Sequence, residues 1–491
     1  MNFAYRSLFR IVGLLLGITG LAMIPPFLCA IYYQENQTKL AFFACGLVSI
    51  LVGFTLFKFI PTSKKTLKNR DGYLIVILCW LSCIFVGALP YMFSGQVSSF
   101  ADAIFEATAG YSTTGATVIS ELRLSHSLFL WKAITHWLGG MGILVFVISI
   151  LPTLGTGGHR IAAAETPGPG ISRIAPRVQD LAKLLYFVYL FLTIIEFLLL
   201  WIGSDMSAFE ALVNTLGSIS TAGLFLHPEG IGYYDSIYVE LIISLFTLLA
   251  SVNFILYIHL LRRNFADIQK NIELRVFFGI LAIATILVSC GLYIYGGYHS
   301  LSLAFRHGFF QVTSFITTSG FAITDYTLWP SICKSILFTL LFVGGCAAST
   351  SGGPKIIRLM IMFKLVVRGF FKRLHPRAVS SINVGETVIS APMVSSIATF
   401  IALYALTFLF SALVLSLQNL SLESTLSTAA ALMSTTGAAF GEIGSSGNFD
   451  AFSPPLKLFM SFIMLLGRLE LFTVFVLFFP SFWNPNRATI E

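Results

Sequence analysis

A hydroxyl residue, a Thr, a small residue and a Gly follow one another four times in this chain: Ser112-Thr113-Thr114-Gly115, Ser220-Thr221-Ala222-Gly223, Thr317-Thr318-Ser319-Gly320 and Ser434-Thr435-Thr436-Gly437. The copies lie roughly one hundred residues apart, which is too long a period for a solenoid and suits a duplicated helix, loop, helix unit. Each copy follows about a dozen residues with the character of a short helix and sits between long apolar runs. The chain must therefore hold four structurally equivalent polar loops.

Composition fixes the medium around them. The 491 residues are 56% hydrophobic and 11% charged, with a mean hydropathy of +0.86. No soluble domain hides that much apolar surface in its core. Runs of about eighteen or more apolar residues, each able to cross hydrocarbon about 30 Å thick, recur along the chain. The fold class is an all-α polytopic membrane protein, and a large enzyme with a buried core is excluded. The first run, Ile11 to Ile31, reads as a retained span, because Pro25-Pro26 and the bulky residues after it make a poor signal-cleavage site. Cys29, Cys45, Cys79, Cys83, Cys290, Cys333 and Cys346 lack the paired spacing of a disulfide framework or metal site, and the histidines lack ligand spacing. Neither a resident metal nor a redox or covalent cofactor is expected.

Charge predicts orientation. Four basic clusters, Lys64, Lys65, Lys68 and Arg70; Arg160, Arg173, Arg177 and Lys183; Arg262, Arg263, Lys270 and Arg275; and Lys364, Arg368, Lys372, Arg373 and Arg377, fall on one side if the intervening segments cross. The positive-inside bias makes that side cytoplasmic, and Arg6 and Arg10 put the N-terminus there, as the span count does the C-terminus. The +8 net charge then reflects topology, and nucleic-acid binding is not expected. Asp205, Glu210, Glu229, Asp235, Asp325, Glu423, Glu442 and Asp450 lie opposite, where an acidic vestibule would concentrate cations.

In chain order, residues 1–70 form an accessory pair of spans, about 8 to 31 and 40 to 60. Pore repeats follow over 71–160, 161–265, 266–380 and 381–491, each with an outer helix, a short helix, a polar loop and an inner helix in pseudo-fourfold arrangement. The first inner helix is expected from about Leu128 to Leu151, and the Gly- and Pro-rich stretch from Thr153 to Ile174 as a cytoplasmic connection.

Irregular backbone is tolerated at membrane depth only where protein buries it or it lines a water-filled path. Four loops meeting on one axis satisfy that condition together. Their carbonyl and threonine oxygens can replace the water shell of a permeating cation, while the C-terminal ends of the short helices turn partial negative charge toward it. The Gly in each loop permits backbone angles that a Cβ forbids. One Gly and one Thr per loop give fewer coordination layers than a potassium-channel filter, so moderate selectivity is expected.

The third inner helix carries a second irregularity. Gly344-Gly345-Cys346-Ala347-Ala348-Ser349-Thr350-Ser351-Gly352-Gly353-Pro354-Lys355 interrupts an apolar run from about Ile332 to Val367. Gly costs about 1 kcal/mol against Ala inside a helix, whereas Pro suits a first turn, so the helix is expected to break below the third loop and restart at Pro354. A plug is the functional interpretation, with Gly344, Gly345, Ser349, Thr350, Ser351, Gly352, Gly353 and Lys355 as gate residues; a packing kink is the bland one. The stretch is not a phosphate-binding loop, because Pro354 and Ile356 occupy the places of the required Gly and hydroxyl.

The four loops, Trp137-Leu138-Gly139-Gly140-Met141-Gly142, the broken third inner helix and Gly467-Arg468-Leu469-Glu470 resemble the Trk/Ktr/HKT superfamily of potassium transporters. Within it the chain is most similar to the TrkH family, the membrane subunits of bacterial Trk systems. The resemblance covers residues 8 to about 483. It implies potassium as the transported ion, with the sixteen residues of the four loops binding it. It also implies a homodimer in the bacterial inner membrane and a cytoplasmic TrkA-type ring that supplies the only nucleotide. Pro354 stands where the family usually has Gly or an aliphatic residue, and Leu224 and Phe321 replace the small residues, Ala116 and Ala438, that follow the other loop glycines.

An intramembrane enzyme would need Ser349 paired with a distant His136 or His259, with no motif in support. A receptor or scaffold would not require four polar half-entries. A membrane potential contributes about 2.3 kcal/mol per charge per 100 mV, enough for about fiftyfold accumulation, so gated uniport suffices; Glu196, inside the second outer helix, leaves proton symport open. Arg468 is expected about 20 Å along the last inner helix, too deep to snorkel; the resemblance implies a place beside the path, from which it would hold the plug by its carbonyls. Glu470 lies two residues on and does not face it within one helix.

Overall fold

The computed structural model describes residues 4–61, 68–97, 99–119, 124–142, 178–378, 380–385, 387–445 and 447–483. Lys64, Lys65, Arg160, Arg173 and Arg177, the first inner helix beyond residue 142 and the connection from Thr153 to Ile174 lie outside the described residues. Six helices among the described residues are long and apolar enough to cross a membrane, or eight if two sharply bent pairs each count as one span.

The leading pair comprises Tyr5–Ala22, continued after Met23 by Ile24–Tyr32, and Asn36–Phe59. Small residues let the two backbones touch: a methyl built on Gly20 would lie 2.8 Å from the Gly46 carbonyl oxygen. Outer helices follow at Asn69–Phe93, Val178–Gly203, Ile272–Tyr295 and Ala391–Leu415. On the last of these Leu406, Leu409, Phe410 and Leu413 are exposed, the surface that hydrocarbon would cover.

Four short helices, Phe100–Ser112, Ala208–Ile219, Leu301–Ile316 and Leu422–Met433, each end at a polar loop. Two of the four starts are capped by side chains. Ser207 and Glu210 form a reciprocal capping box, and Ser421 caps through the Ser424 N–H.

The inner helices are His126–Gly140, Ile237–Ser251, Ser331–Leu340 and Pro454–Leu469. The third breaks as its glycines predict, but it resumes at Ile356, after a Lys355 with φ of +76°; Pro354 therefore precedes the helix instead of opening it. The second and fourth break as well, bending by 99° before Ile255–Leu261 and by 115° before Leu471–Phe478. The sequence predicts continuous crossings at both places. Neither bend carries Gly or Pro: Val252-Asn253 and Glu470 turn because tertiary partners hold them, the Phe254 N–H donating to the Ala348 carbonyl at 3.0 Å and Glu470 pairing with Arg358.

Among the described residues one pair of short strands accompanies the helices. Ile382–Val384 pairs antiparallel with Thr387–Ile389, in the register Ile382 to Ile389, and packs Ile382 and Ile389 with Ile357 and Ile361.

Ion pairs join successive units at the ends of the short helices away from the polar loops. Arg306 on the third short helix holds Glu240 (2.6 Å) and Asp235 (3.1 Å) of the second unit, Lys334 of the third holds Glu423 of the fourth (2.8 Å), and Lys457 of the fourth holds Asp102 of the first (2.8 Å) and Asp450 (3.5 Å). Asp235, Glu423 and Asp450 are thus partly neutralised, so the face that carries these acids is less acidic than the sequence suggests. The pairs with exposed carboxylates, those of Asp235, Glu423 and Asp450, contribute about 0–1 kcal/mol each, whereas Lys457–Asp102 and Arg306–Glu240 are largely buried.

Candidate ion-conduction site

The four polar loops share one backbone solution. In every copy the third loop residue donates its N–H to the carbonyl five residues back: Thr114 to Ala109, Ala222 to Gly217, Ser319 to Ser314 and Thr436 to Ala431, at 2.8 to 3.0 Å. The Thr before it donates three residues back, to Gly110, Ser218, Phe315 and Leu432, at 3.0 to 3.3 Å. These are the two bonds of a Schellman cap, whose αL residue is usually Gly. Here it is Thr: Thr113, Thr221, Thr318 and Thr435 have φ of 60°, 52°, 58° and 57°. A β-branched residue is an outlier there and costs about 1–2 kcal/mol each time. Strain of this kind, here accepted four times at equivalent places, clusters at functional sites.

The loops close into a ring. A methyl on Gly115 would lie 3.2 Å from the Gly223 nitrogen, one on Gly223 would lie 2.9 Å from the Gly320 carbonyl carbon, one on Gly320 would lie 3.3 Å from the Thr436 carbonyl carbon, and one on Gly437 would lie 2.8 Å from the Ala116 nitrogen. Gly115, Gly320 and Gly437 have φ of +71°, +77° and +76°. Gly223 lies outside that left-handed set and donates its N–H to the Ser319 carbonyl of the next loop. The one irregular glycine thus precedes Leu224, whose bulk packs with Phe129 and Leu130.

The hydroxyls differ in their partners. Ser112 bonds Thr114 at 2.7 Å and Ser434 bonds Thr436 at 2.8 Å, Ser220 and Thr317 donate to carbonyls of their own helices, and Thr221 donates to the Ser220 carbonyl at 2.7 Å. Thr318 accepts the Gly352 N–H at 2.7 Å. Thr113 Oγ1 and Thr435 Oγ1 are buried without a hydrogen-bond partner among the described residues.

The segment 344–355 lies against this ring. Besides its bond to Thr318, Gly352 abuts the Ser434 carbonyl and the Thr435 hydroxyl so closely that a Cβ there would collide with both. The segment is tied down through the broken second inner helix. The Cys346 N–H reaches the Ser251 carbonyl (3.0 Å), and the Thr350 N–H and Oγ1 reach the Ala250 carbonyl (3.2 and 3.0 Å). Within it Ser349 bonds the Cys346 carbonyl and the Ser351 hydroxyl at 2.6 and 2.8 Å, Lys355 donates to the Ser351 carbonyl, and the Gly345 carbonyl accepts the Ile356 N–H at 3.1 Å. Gly344 and Gly353, with φ of +72° and +73°, make the turns. Arg468 donates to the Thr350 carbonyl at 2.9 Å.

Two ion pairs behind the site escaped the sequence reading. Arg358 pairs with Glu470 and lies over the Phe400 ring, 4.1 Å from its centroid. Lys132 lies 2.7 Å from Glu106 in complete burial. The available signal was an ionisable residue at membrane depth, which is rare enough to stand as a functional hypothesis by itself. Glu196 carries that signal too: it is buried and accepts the Ser218 hydroxyl at 2.5 Å. His136 is buried, and neither ring nitrogen has a hydrogen-bond partner among the described residues. Ser349 is bonded to its own segment, not to His136 or His259.

The family model for TrkH, described as a cation transport protein, matches residues 38–484. The chain belongs to the TrkH family. This family member is 35% identical to the Trk system potassium uptake protein TrkH of Escherichia coli K12, over 98% of this chain and 99% of that one. It is 33% identical to the TrkG protein of the same organism, over 98% and 99%. Its fold matches the crystal structure of the potassium transporter TrkH from Vibrio parahaemolyticus with a TM-score of 0.87 and 32% identity, covering 98% of this chain and all of that one. Four loops with matching backbone that abut one another in a ring agree with membership of a family described as cation transport proteins.

Proposed function

We propose that this chain takes up potassium across a bacterial inner membrane, through a path lined by the loops 112–115, 220–223, 317–320 and 434–437. The observation that carries this is the closed ring of four left-handed threonine caps, with Thr113 and Thr435 holding buried hydroxyls that have no hydrogen-bond partner among the described residues. Such a group costs about 1–3 kcal/mol, which a partly dehydrated cation would offset by taking the oxygen as a ligand. The relatives, named as potassium uptake proteins, favour potassium as the ion.

Segment 344–355 acts as the gate. Its Gly352 N–H occupies the Thr318 hydroxyl, and Arg468 holds it by the Thr350 carbonyl; withdrawing the segment frees both the hydroxyl and the space below the ring. A cytoplasmic TrkA-type ring that binds nucleotide is the partner proposed to drive that withdrawal, acting on a homodimer whose termini face the cytoplasm. The basic residues Lys364, Arg368, Lys372 and Arg373 on the helix resuming at Ile356 give that partner a handle connected directly to the segment.

Rubidium flux into liposomes holding the purified chain, under an inside-negative potential, tests the function. Chain-dependent accumulation supports it, and folded protein without accumulation overturns it in favour of a receptor or enzyme. Adding a pH gradient to the same assay separates uniport from proton symport, for which Glu196 is the candidate carrier.

A further inference from the structure

Glu106 and Lys132 form an ion pair sealed inside the protein, with Lys132 Nζ 2.7 Å from Glu106 Oε2 and side-chain exposures of 2% for Lys132 and 0% for Glu106. Glu106 lies six residues before the first loop hydroxyl, where the other short helices carry Asn214, Gln311 and Thr428. Only the first short helix is charged there. Gln311 donates to the Phe321 carbonyl at 3.2 Å and the Asn214 amide turns to the Tyr234 hydroxyl at 3.4 Å, so uncharged residues hold the backbone after the filter in the third loop and dispense with it in the second. A buried pair is a poor source of net stability, because desolvating two charges offsets their attraction. Its retention calls for a geometric use.

That use is visible in the remaining bonds. Glu106 Oε1 accepts the Val118 N–H and the Thr117 hydroxyl, each at 2.7 Å, and Lys132 Nζ donates to the Ala116 carbonyl at 3.1 Å. Ala116 directly follows Gly115. We propose that Glu106 and Lys132 are positioning residues that set the ion preference of the first loop: the ammonium holds the Ala116 carbonyl away from the path, and the carboxylate pins the strand after it. A smaller cation needs its ligands to move inward, and a strand held by an ion pair resists that movement. Because the charges cancel, the pair stiffens the loop without opposing the entry of a cation. The proposal rests on the assignment of the four loops as a cation filter.

The test compares rubidium and sodium flux per folded transporter in liposomes. Lys132→Met alone strands a buried carboxylate and risks misfolding, so the decisive variant is the double change Glu106→Gln with Lys132→Met. It removes both charges, keeps an acceptor for the Val118 N–H and releases the Ala116 carbonyl. The rubidium-to-sodium ratio is expected to fall about fivefold, the factor that about 1 kcal/mol makes, while Lys132→Arg, which keeps charge and donors, recovers most of it. Loss of both fluxes in equal proportion would make the pair merely structural and overturn the proposal. Gly437→Ala run in parallel separates the two assignments. If its ratio falls while that of the double variant does not, only this proposal fails; if neither falls, the filter assignment fails with it.

Discussion

Arg468 joins two elements far apart in sequence, donating to the Thr350 carbonyl at 2.9 Å and to the carbonyls of Gly139 and Gly140 at 2.6 and 2.5 Å. One guanidinium therefore ties segment 344–355 to the end of the first inner helix. It sits at the last turn of its own helix, which stops at Leu469.

Replacing this clamp should loosen segment 344–355, the proposed gate. Hydrogen bonds from a charged donor contribute about 1.5–3 kcal/mol, so Arg468→Gln should shift the closed-to-open balance by about tenfold or more. Maximal rubidium flux per folded transporter should rise accordingly. Less folded protein with no gain per molecule would mean that Arg468 only supports the fold.

Gly352 offers a sharper test of the segment itself. A Cβ there collides with the Ser434 carbonyl and the Thr435 hydroxyl, so Gly352→Ala should push the segment off the ring and raise basal flux. Deleting residues 345–351 should do the same and reduce dependence on a cytoplasmic partner, because it removes the anchors to Ala250 and Ser251. Flux that stays level or falls in both folded variants would reduce the segment to a packing kink.

The parts of this arrangement that were legible in the sequence are those written in glycine and proline. Segment 344–355 breaks a helix by composition alone, and four recurring tetrapeptides declare four loops. The bends at Val252 and Glu470 carry no such mark, since backbone and side-chain partners distant in sequence impose them. The left-handed conformation of Thr113, Thr221, Thr318 and Thr435 runs against residue preference, so only its fourfold recurrence hinted at it. The hairpin at Ile382–Ile389 was hidden by its brevity beside long apolar spans, although Gly385, with φ of +61°, marks its turn.

Glu470 and Arg358 should behave as a structural pair. Their side chains are 17% and 10% exposed, and removing one partner of a buried pair costs about 3–5 kcal/mol. Glu470→Gln should lower the thermal unfolding midpoint in detergent, as should Arg358→Met, and the double variant should lose less than their sum. Additive losses would show that the two side chains do not depend on each other.

The filter threonines separate hydroxyl from shape. Thr435→Ser keeps the oxygen and relieves β-branch strain at φ of +57°, so flux and preference should stay near those of the parent. Thr435→Val keeps the shape and removes the oxygen, and should cut rubidium flux about tenfold, the equivalent of one lost ligand worth about 1.4 kcal/mol. Equal behaviour of the two variants in liposome flux would remove this hydroxyl from the path.

The central claim is that four loops act together on one ion, and it is tested by the rubidium-to-sodium flux ratio of Gly115→Ala, Gly223→Ala, Gly320→Ala and Gly437→Ala in liposomes. Each added Cβ meets backbone of the next loop in the ring, and three of the four also enter a left-handed conformation that disfavours a side chain. The account predicts that every one of the four loses transport or its preference for rubidium, wherever it lies in the chain. A parent-like ratio in all four folded variants would contradict it.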